Sequence, residues 1–296
     1  MRKPPEIPDD VQVLLKEQDG AMTASQALSA GLTRRQLRTL VESGWRHPFQ
    51  GVYVAPGVAD PFRTSVRAAL LACPSAAAFG VTSARLHKLW GLPIWRESEQ
   101  PELITPAGLG LRSRPGLRLR TGLLETERVM VDGLPVASLG RTVHHLSLRL
   151  RLDELVCLVD SAARRGWVPV TGPSRGRRRL LDAMALSDAR SESALETYIR
   201  LLLVRAGLTP EVLQHELVDA ANQRYVRLDL AWPSVRLAIE VDGREFHDEP
   251  GALYRDRAKA NLALLDGWRV LRFTWFDVMR RPEWVVATVR KALGRG

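Results

Sequence analysis

At 296 residues, with 45% hydrophobic and 26% charged side chains, the chain is too long for one ordinary domain and too apolar for general disorder, so two or three compact units are expected. No apolar run approaches bilayer length and Met1-Arg-Lys-Pro-Pro-Glu lacks a signal-peptide core, which points to a soluble, cytoplasmic protein without a membrane partner. Cys73 and Cys157 stand alone without CxxC partners, which argues against a disulfide framework or a thiolate zinc site and suits small buried hydrophobes.

The net charge of +10 is unevenly spread. Residues 1–60 carry seven basic and seven acidic side chains and residues 181–296 seventeen of each, so residues 61–180, with nineteen against nine, hold the whole excess. It concentrates at 112–120 and 164–179. Cationic side chains release counterions from nucleic acid, giving salt-sensitive, sequence-independent affinity. A composition generally rich in Arg would produce the same excess without a partner.

The first unit spans about 9–54. Thr23-Ala-Ser-Gln26 and Thr33-Arg-Arg-Gln36 are two capping-box patterns, each predicting a helix start, with Gly31 breaking the chain between them. The second helix, 34–43, ends at Gly44; Leu37, Leu40 and Val41 share one face, and Arg34, Arg35 and Arg38 lie on another. The following Trp45-Arg-His-Pro-Phe-Gln-Gly-Val-Tyr-Val54 alternates about a Pro/Gly turn and predicts a hairpin, completing a winged helix-turn-helix. In that layout Arg34, Arg35 and Arg38 face DNA bases or phosphates and Arg46 of the wing touches backbone. A solvated basic helix face gives the same pattern.

The middle stretch, 61–176, predicts helices over 61–72, 83–89, 140–150 and 152–164 and a strand over 116–121. No catalytic spacing occurs there, and the adjacent His144 and His145 read as cap or surface histidines. Residues 168–179, with two prolines, two glycines and four arginines, read as a linker, and a new domain is expected near Leu180.

From there to the end the pattern is helix, three strands, helix, strand, helix. Leu195, Ile199, Leu202, Leu203 and Ala206 stripe the opening helix, which Gly207 closes. Strands are expected over 212–217, 225–232 and 235–241. In the second, Val226, Leu228, Leu230 and Trp232 alternate with Arg227, Asp229 and Ala231; in the third, Val235, Leu237, Ile239 and Val241 alternate with Arg236, Ala238, Glu240 and Asp242. A two-residue turn at Pro233-Ser234 would pair Trp232 with Val235 and Asp229 with Ala238, leaving Glu240 diagonal to Asp229 and within reach of a shared cation. Outward-facing acids paired with Arg227 and Arg236 are the plainer alternative.

The blocks Leu228-Asp-Leu-Ala-Trp-Pro, Leu237-Ala-Ile-Glu-Val-Asp-Gly243, His247, Tyr254-Arg-Asp-Arg257 and Gly267-Trp-Arg-Val-Leu-Arg272 resemble the PD-(D/E)xK nuclease superfamily, and within it the very-short-patch-repair-endonuclease-like bacterial domains of unknown function, over about residues 191–293. The resemblance implies a restriction-endonuclease-like mixed sheet flanked by helices, with Asp229 and Glu240 as metal-binding acids, Asp242 an added acid, Glu196 the helix acid and His247 beside the scissile phosphate. Where the superfamily pattern has Lys, two residues after the second acid, this chain has Asp242; Lys259 is a substitute, or else an i,i+3 partner of Asp256. Glu196 also fits a Ser193–Glu196 capping box with Arg200 as salt partner. The winged-helix stretch with Gly51-Val-Tyr-Val54, Thr82-Ser-Ala-Arg-Leu-His87, Gly91-Leu-Pro93 and Arg141-Thr142 looks like the abortive-infection type IV antitoxin family, which implies DNA-binding autorepression and toxin neutralisation.

The expected architecture is therefore α+β in three parts: a winged helix-turn-helix over 1–60, a basic mixed α/β middle over 61–180, and an endonuclease-like domain over 181–296. Two functions follow. One is a DNA endonuclease using Mg²⁺ or Mn²⁺ held by Asp229, Glu240 and Asp242, with His247 as general acid and Arg257 on phosphate. The other is a non-catalytic DNA-binding repressor or antitoxin with a cognate toxin or a repair or defence protein as partner. No Gly-rich phosphate loop, nucleophile elbow or HExxH supports a small-molecule enzyme.

Overall fold

A computed structural model describes residues 6–109, 113, 115–169, 176–219, 224–242, 261 and 263–294. The architecture is α+β, with helices and three sheets, and the chain divides into two compact units, Met1–Leu146 and Ser147–Gly296. Among the described residues no helix is long and apolar enough to cross a membrane.

The first unit opens with α1 (Asp9–Glu17), β1 (Ala21–Thr23), α2 (Ala24–Ser29), α3 (Arg34–Glu42), β2 (Arg46–Phe49) and β3 (Val52–Val54), the strands forming an antiparallel sheet in the order β1-β3-β2. Both capping boxes form. The Thr23 and Thr33 hydroxyls accept the N–H of Gln26 and Gln36 at 3.2 Å, and each Gln side chain accepts the N–H of its Thr at 2.8 Å. Each cap contributes about 1 kcal/mol by satisfying donors the helix leaves open. Gly44, at φ 103°, turns the chain after α3 in a conformation that side chains with a Cβ resist. Met22, Ala27, Leu37, Leu40 and Trp45 bury the inner faces of these elements together.

Next come α4 (Pro61–Ala72), β4 (Ala77–Ala78), α5 (Gly80–Leu86), β5 (Glu102–Thr105), β6 (Arg118–Thr121), β7 (Arg128–Val131), β8 (Leu134–Ala137) and α6 (Leu139–Leu146). The five strands make one mixed sheet in the order β6-β5-β4-β8-β7. Asp60 caps α4 through the N–H of Arg63 at 2.9 Å, and Asp19 holds α4 by Arg63 at 2.6 Å and Arg67 at 2.9 Å. His144 and His145 are half-buried on α6 rather than at the surface, with the His145 ring 4.3 Å from that of Phe79.

The second unit contains α7 (Leu152–Arg164), α8 (Arg177–Ala185), α9 (Ala194–Arg205), β9 (Val212–Asp219), β10 (Arg224–Trp232), β11 (Leu237–Asp242), β12 (Arg269–Thr274), α10 (Trp275–Arg280) and α11 (Pro282–Ala292). Part of the stretch expected as linker is helix α8, and α7 packs with α9. The physical reason is a buried ion pair: Asp160 of α7, fully buried, takes the Arg200 guanidinium at 2.8 Å, the Thr197 hydroxyl at 2.7 Å and the Asp188 N–H at 2.7 Å. Burial pushes the Asp160 carboxyl upward, against the pull of Arg200 and its hydrogen bonds. Cys157, one turn before Asp160, is buried and free as expected, and burial raises its thiol.

The sheet order is β12-β11-β10-β9, with β11 and β12 parallel and the other pairs antiparallel. Leu230, Trp232, Leu237 and Ile239 pack with Leu195, Ile199 and Leu203 of α9 and Val285 and Val289 of α11. The alternate residues Ala231 and Ala238 pack with Val226, Leu228, Ala263 and Trp268. Both faces of the sheet are therefore covered. Trp232, 1% exposed, donates its indole N–H to Thr209 O at 2.9 Å, and truncating it would cost about 3–5 kcal/mol.

Candidate functional site

The turn between β10 and β11 is longer than the sequence suggests. Pro233–Val235 forms a 3-10 turn and Arg236 takes φ 47°, so Trp232 pairs with Leu237, Ala231 with Ala238 and Leu230 with Ile239. The expected pairing of Trp232 with Val235 is displaced by two residues. An even displacement keeps each side chain on its face. Ala238 thus faces Ala231 and not Asp229.

A second departure lies within β10. The four apolar residues expected on one face divide, Val226 and Leu228 going to one cluster and Leu230 and Trp232 to the other. The change falls at Asp229. Its partner strand pairs Leu228 with His215 and Leu230 with Leu213, and between them Gln214 takes φ 55°. The half-buried Asp229 turns its carboxylate onto the next strand, accepting the Val241 N–H at 3.0 Å. That donor sits between Glu240 and Asp242.

Glu196 reaches the same place from α9. Ser193 caps the helix, its hydroxyl accepting the Glu196 N–H at 3.2 Å, but the Glu196 side chain does not complete a capping box with Ser193. Its Oε2 accepts the Glu192 N–H and the Gln214 side-chain amide, each at 2.7 Å. Arg200, the expected salt partner, is committed to Asp160. Burial, and then the negative charge of Asp229, push the Glu196 carboxyl up to about 7. Two acids from elements distant in sequence thus feel one another. Gln214 was invisible to sequence reasoning, since a single Gln in a strand carries no motif; its Oε1 is buried and has no hydrogen-bond partner among the described residues.

Glu240 is 8% exposed on β11. Its neighbour in the parallel register is Arg272 of β12, whose Nη2 lies 3.5 Å from Glu240 Oε2. The guanidinium side chain is 44% exposed against 10% for the Glu240 side chain, so the cation runs outward from the acid. The plainer alternative had the acids paired with Arg227 and Arg236; Arg227 instead pairs with Glu192, which also meets Arg164 at 3.1 Å. Asp242 is exposed at the end of β11. His247, Arg257 and Lys259 lie outside the described residues.

A hard divalent cation suits this donor set. Asp229 and Glu196 are close enough for one charge to raise the other, every donor is oxygen, and the buried Gln214 Oε1 lacks a partner among the described residues. Among the described residues, however, no three Asp, Glu, His or Cys side chains form a group that could hold a metal. Any cation here would be held by paired acids and an amide rather than by three acids.

In the first unit Arg34, Arg35 and Arg38 are all exposed on α3, and none forms an ion pair among the described residues. Arg46 meets Glu97 at 3.3 Å in an exposed pair, which contributes little to stability.

These features define an α+β protein with paired acids at the junction of three strands and a helix. No family model matches the chain. Two proteins of Mycobacterium tuberculosis are each 31% identical to it over 198 residues, covering 61% of this chain and 72% of their own length: "Uncharacterized protein Rv2248" of strain ATCC 25618 / H37Rv and "Uncharacterized protein MT2308" of strain CDC 1551 / Oshkosh. The chain belongs to the family of these mycobacterial proteins.

Proposed function

We propose that the protein is a cytoplasmic DNA-binding, divalent-metal-dependent endonuclease that hydrolyses phosphodiester bonds, with a winged helix-turn-helix over 1–60, a basic middle over 61–180 and a PD-(D/E)xK-like domain from 181. The observation that carries this reading is the Asp229 carboxylate fixed on the N–H between Glu240 and Asp242, with Glu196 near enough to feel its charge.

Asp229 and Glu240 are the acids assigned to hold Mg²⁺ or Mn²⁺, with the Gln214 amide oxygen as a further oxygen donor. When bound, such a cation supplies a water of lowered pKa and offsets charge on the scissile phosphate. Glu196, poised about neutral pH, holds or releases a proton at its carboxyl. Arg272 extends from Glu240 toward solvent and supplies the fixed positive charge that Asp242, in the expected lysine's position, does not. Arg34, Arg35 and Arg38 engage the DNA. Plasmid incubated with Mg²⁺ or Mn²⁺ is expected to be cut by the protein and not by Glu240→Ala; equal cutting by both, or none by either, overturns the reading.

The second reading is a non-catalytic repressor of antitoxin type, favoured by Asp242 at the lysine position. It requires sequence-specific binding to the protein's own promoter region, unaffected by Glu240→Ala and without cleavage.

A further inference from the structure

Beside β6, at the edge of the five-stranded sheet, lies an open cavity of about 520 Å³. Arg120, Thr121, Arg141 and His145 make its polar wall, and Phe79, Ile104 and Leu119 its apolar one; no Asp or Glu lines it among the described residues. Arg141 and His145 are four residues apart on α6 and so leave the same helix face. The Phe79 ring orders both, with the imidazole 4.3 Å and the Arg141 guanidinium carbon 5.8 Å from its centre.

The cations are weakly committed. Arg120 is exposed and forms no ion pair among the described residues. Among the described residues the Arg141 guanidinium has only long polar contacts, 3.4 Å to Gly122 O and 3.6 Å to Glu127, and its Nε is buried without a partner. Ser113, also in the lining, is already used: its hydroxyl donates to Leu119 O at 3.1 Å and accepts the Leu119 N–H at 2.9 Å.

We propose that this cavity binds a phosphoryl group. Two guanidiniums offer forked donors matched to a phosphate dianion, and the Thr121 hydroxyl adds a second kind of donor. The cavity exceeds what a bare phosphate fills and so has room for an organic portion beside the half-buried Leu119. The phosphate belongs either to a free phosphorylated molecule or to a nucleic-acid backbone. The site is independent of the acids in the second unit and stands whether or not they cut DNA.

Calorimetric titration of the full chain with pyrophosphate and with a nucleoside 5′-monophosphate tests this, repeated in the presence of a short DNA duplex and with the duplex alone. Binding of at least one probe is expected, weakened roughly tenfold or more by Arg120→Ala and by Arg141→Ala. Arg118→Ala, on the same strand but outside the lining and facing Glu102 at 3.6 Å, should change it less than twofold. Displacement of the small probes by duplex, or Arg120-dependent binding of duplex alone, assigns the phosphate to nucleic acid; small-probe binding indifferent to duplex assigns it to a free molecule. The proposal falls if no probe, duplex included, binds in an Arg120-dependent way, or if Arg118→Ala weakens binding equally. Arg120 is exposed, so its variant answers even if Arg141→Ala misfolds.

Discussion

The Asp229 carboxylate accepts the main-chain N–H of Val241 at 3.0 Å, so a side chain stands where the strand ladder would ordinarily supply a carbonyl. Structure and charge are separable at this residue. Asp229→Asn retains an acceptor and should keep urea stability within about 1 kcal/mol, whereas Asp229→Ala leaves that N–H unsatisfied and should cost about 1–3 kcal/mol. If the site is catalytic, both lose at least about a hundredfold in cleavage rate, the size of losing one charge-stabilising group. Full activity in Asp229→Asn would remove the residue from the chemistry.

Glu196 gives a pH signature in chelator. Burial and the Asp229 charge push its folded carboxyl up to about 7, well above the ordinary glutamate range of about 4.5, so across that window the unfolded state binds fewer protons than the folded one. Stability therefore falls as pH rises from about 4.5 to 7, by an amount on the order of 3 kcal/mol. Glu196→Gln keeps an acceptor for Glu192 and Gln214 and removes the charge. Thermal melts should show it close to wild type at pH 4.5 and more stable at pH 8, and identical pH profiles would refute the assignment. Added Mg²⁺ should recover part of the difference in the wild type alone.

Arg272 predicts a split between fold and function. Its removal exposes little and frees Glu240 from a 3.5 Å contact, so Arg272→Ala should melt within a few degrees of wild type. Cleavage should fall by roughly a hundredfold, and Arg272→Lys should restore only part because a point charge does not reproduce the guanidinium fork. Rates unchanged in Arg272→Ala would show that the positive charge comes from elsewhere.

The Asp160–Arg200 pair is a stability test. Asp160→Ala leaves Arg200, 8% exposed, without its counterion and should cost about 3–5 kcal/mol in urea unfolding. A double replacement of Asp160 and Arg200 by Leu and Met should recover much of that loss, since apolar packing substitutes well for a buried pair. A loss below 1 kcal/mol in the single variant would mean that water reaches the pair.

Local chemistry made some of this legible. Thr23 and Thr33 announce α2 and α3 because a hydroxyl followed three residues later by Gln satisfies helix donors within four residues. The strands around Asp229 and Glu240 announce themselves by alternation. The register did not, because Pro233–Val235 coils and Arg236 enters the left-handed region, adding two residues that hydrophobicity does not mark. The change of face at Asp229 was hidden because both faces of the sheet are buried, so Leu228 and Leu230 are apolar on either reading. Helix α8 was hidden by its arginines, which read as linker. The Asp160–Arg200 contact joins residues forty apart, and nothing local records it.

That last contact also decides where the polypeptide can be cut. A fragment starting at residue 181 would keep Arg200 and Thr197 but discard the carboxylate that both of them bind. Its opening helix would then carry a stranded guanidinium on a surface meant to be covered. A fragment starting near Ser147 carries α7 along and keeps the pair intact. Soluble expression of the shorter piece should accordingly be rescued by Arg200→Met, a substitution with no bearing on the acids at Asp229 and Glu240.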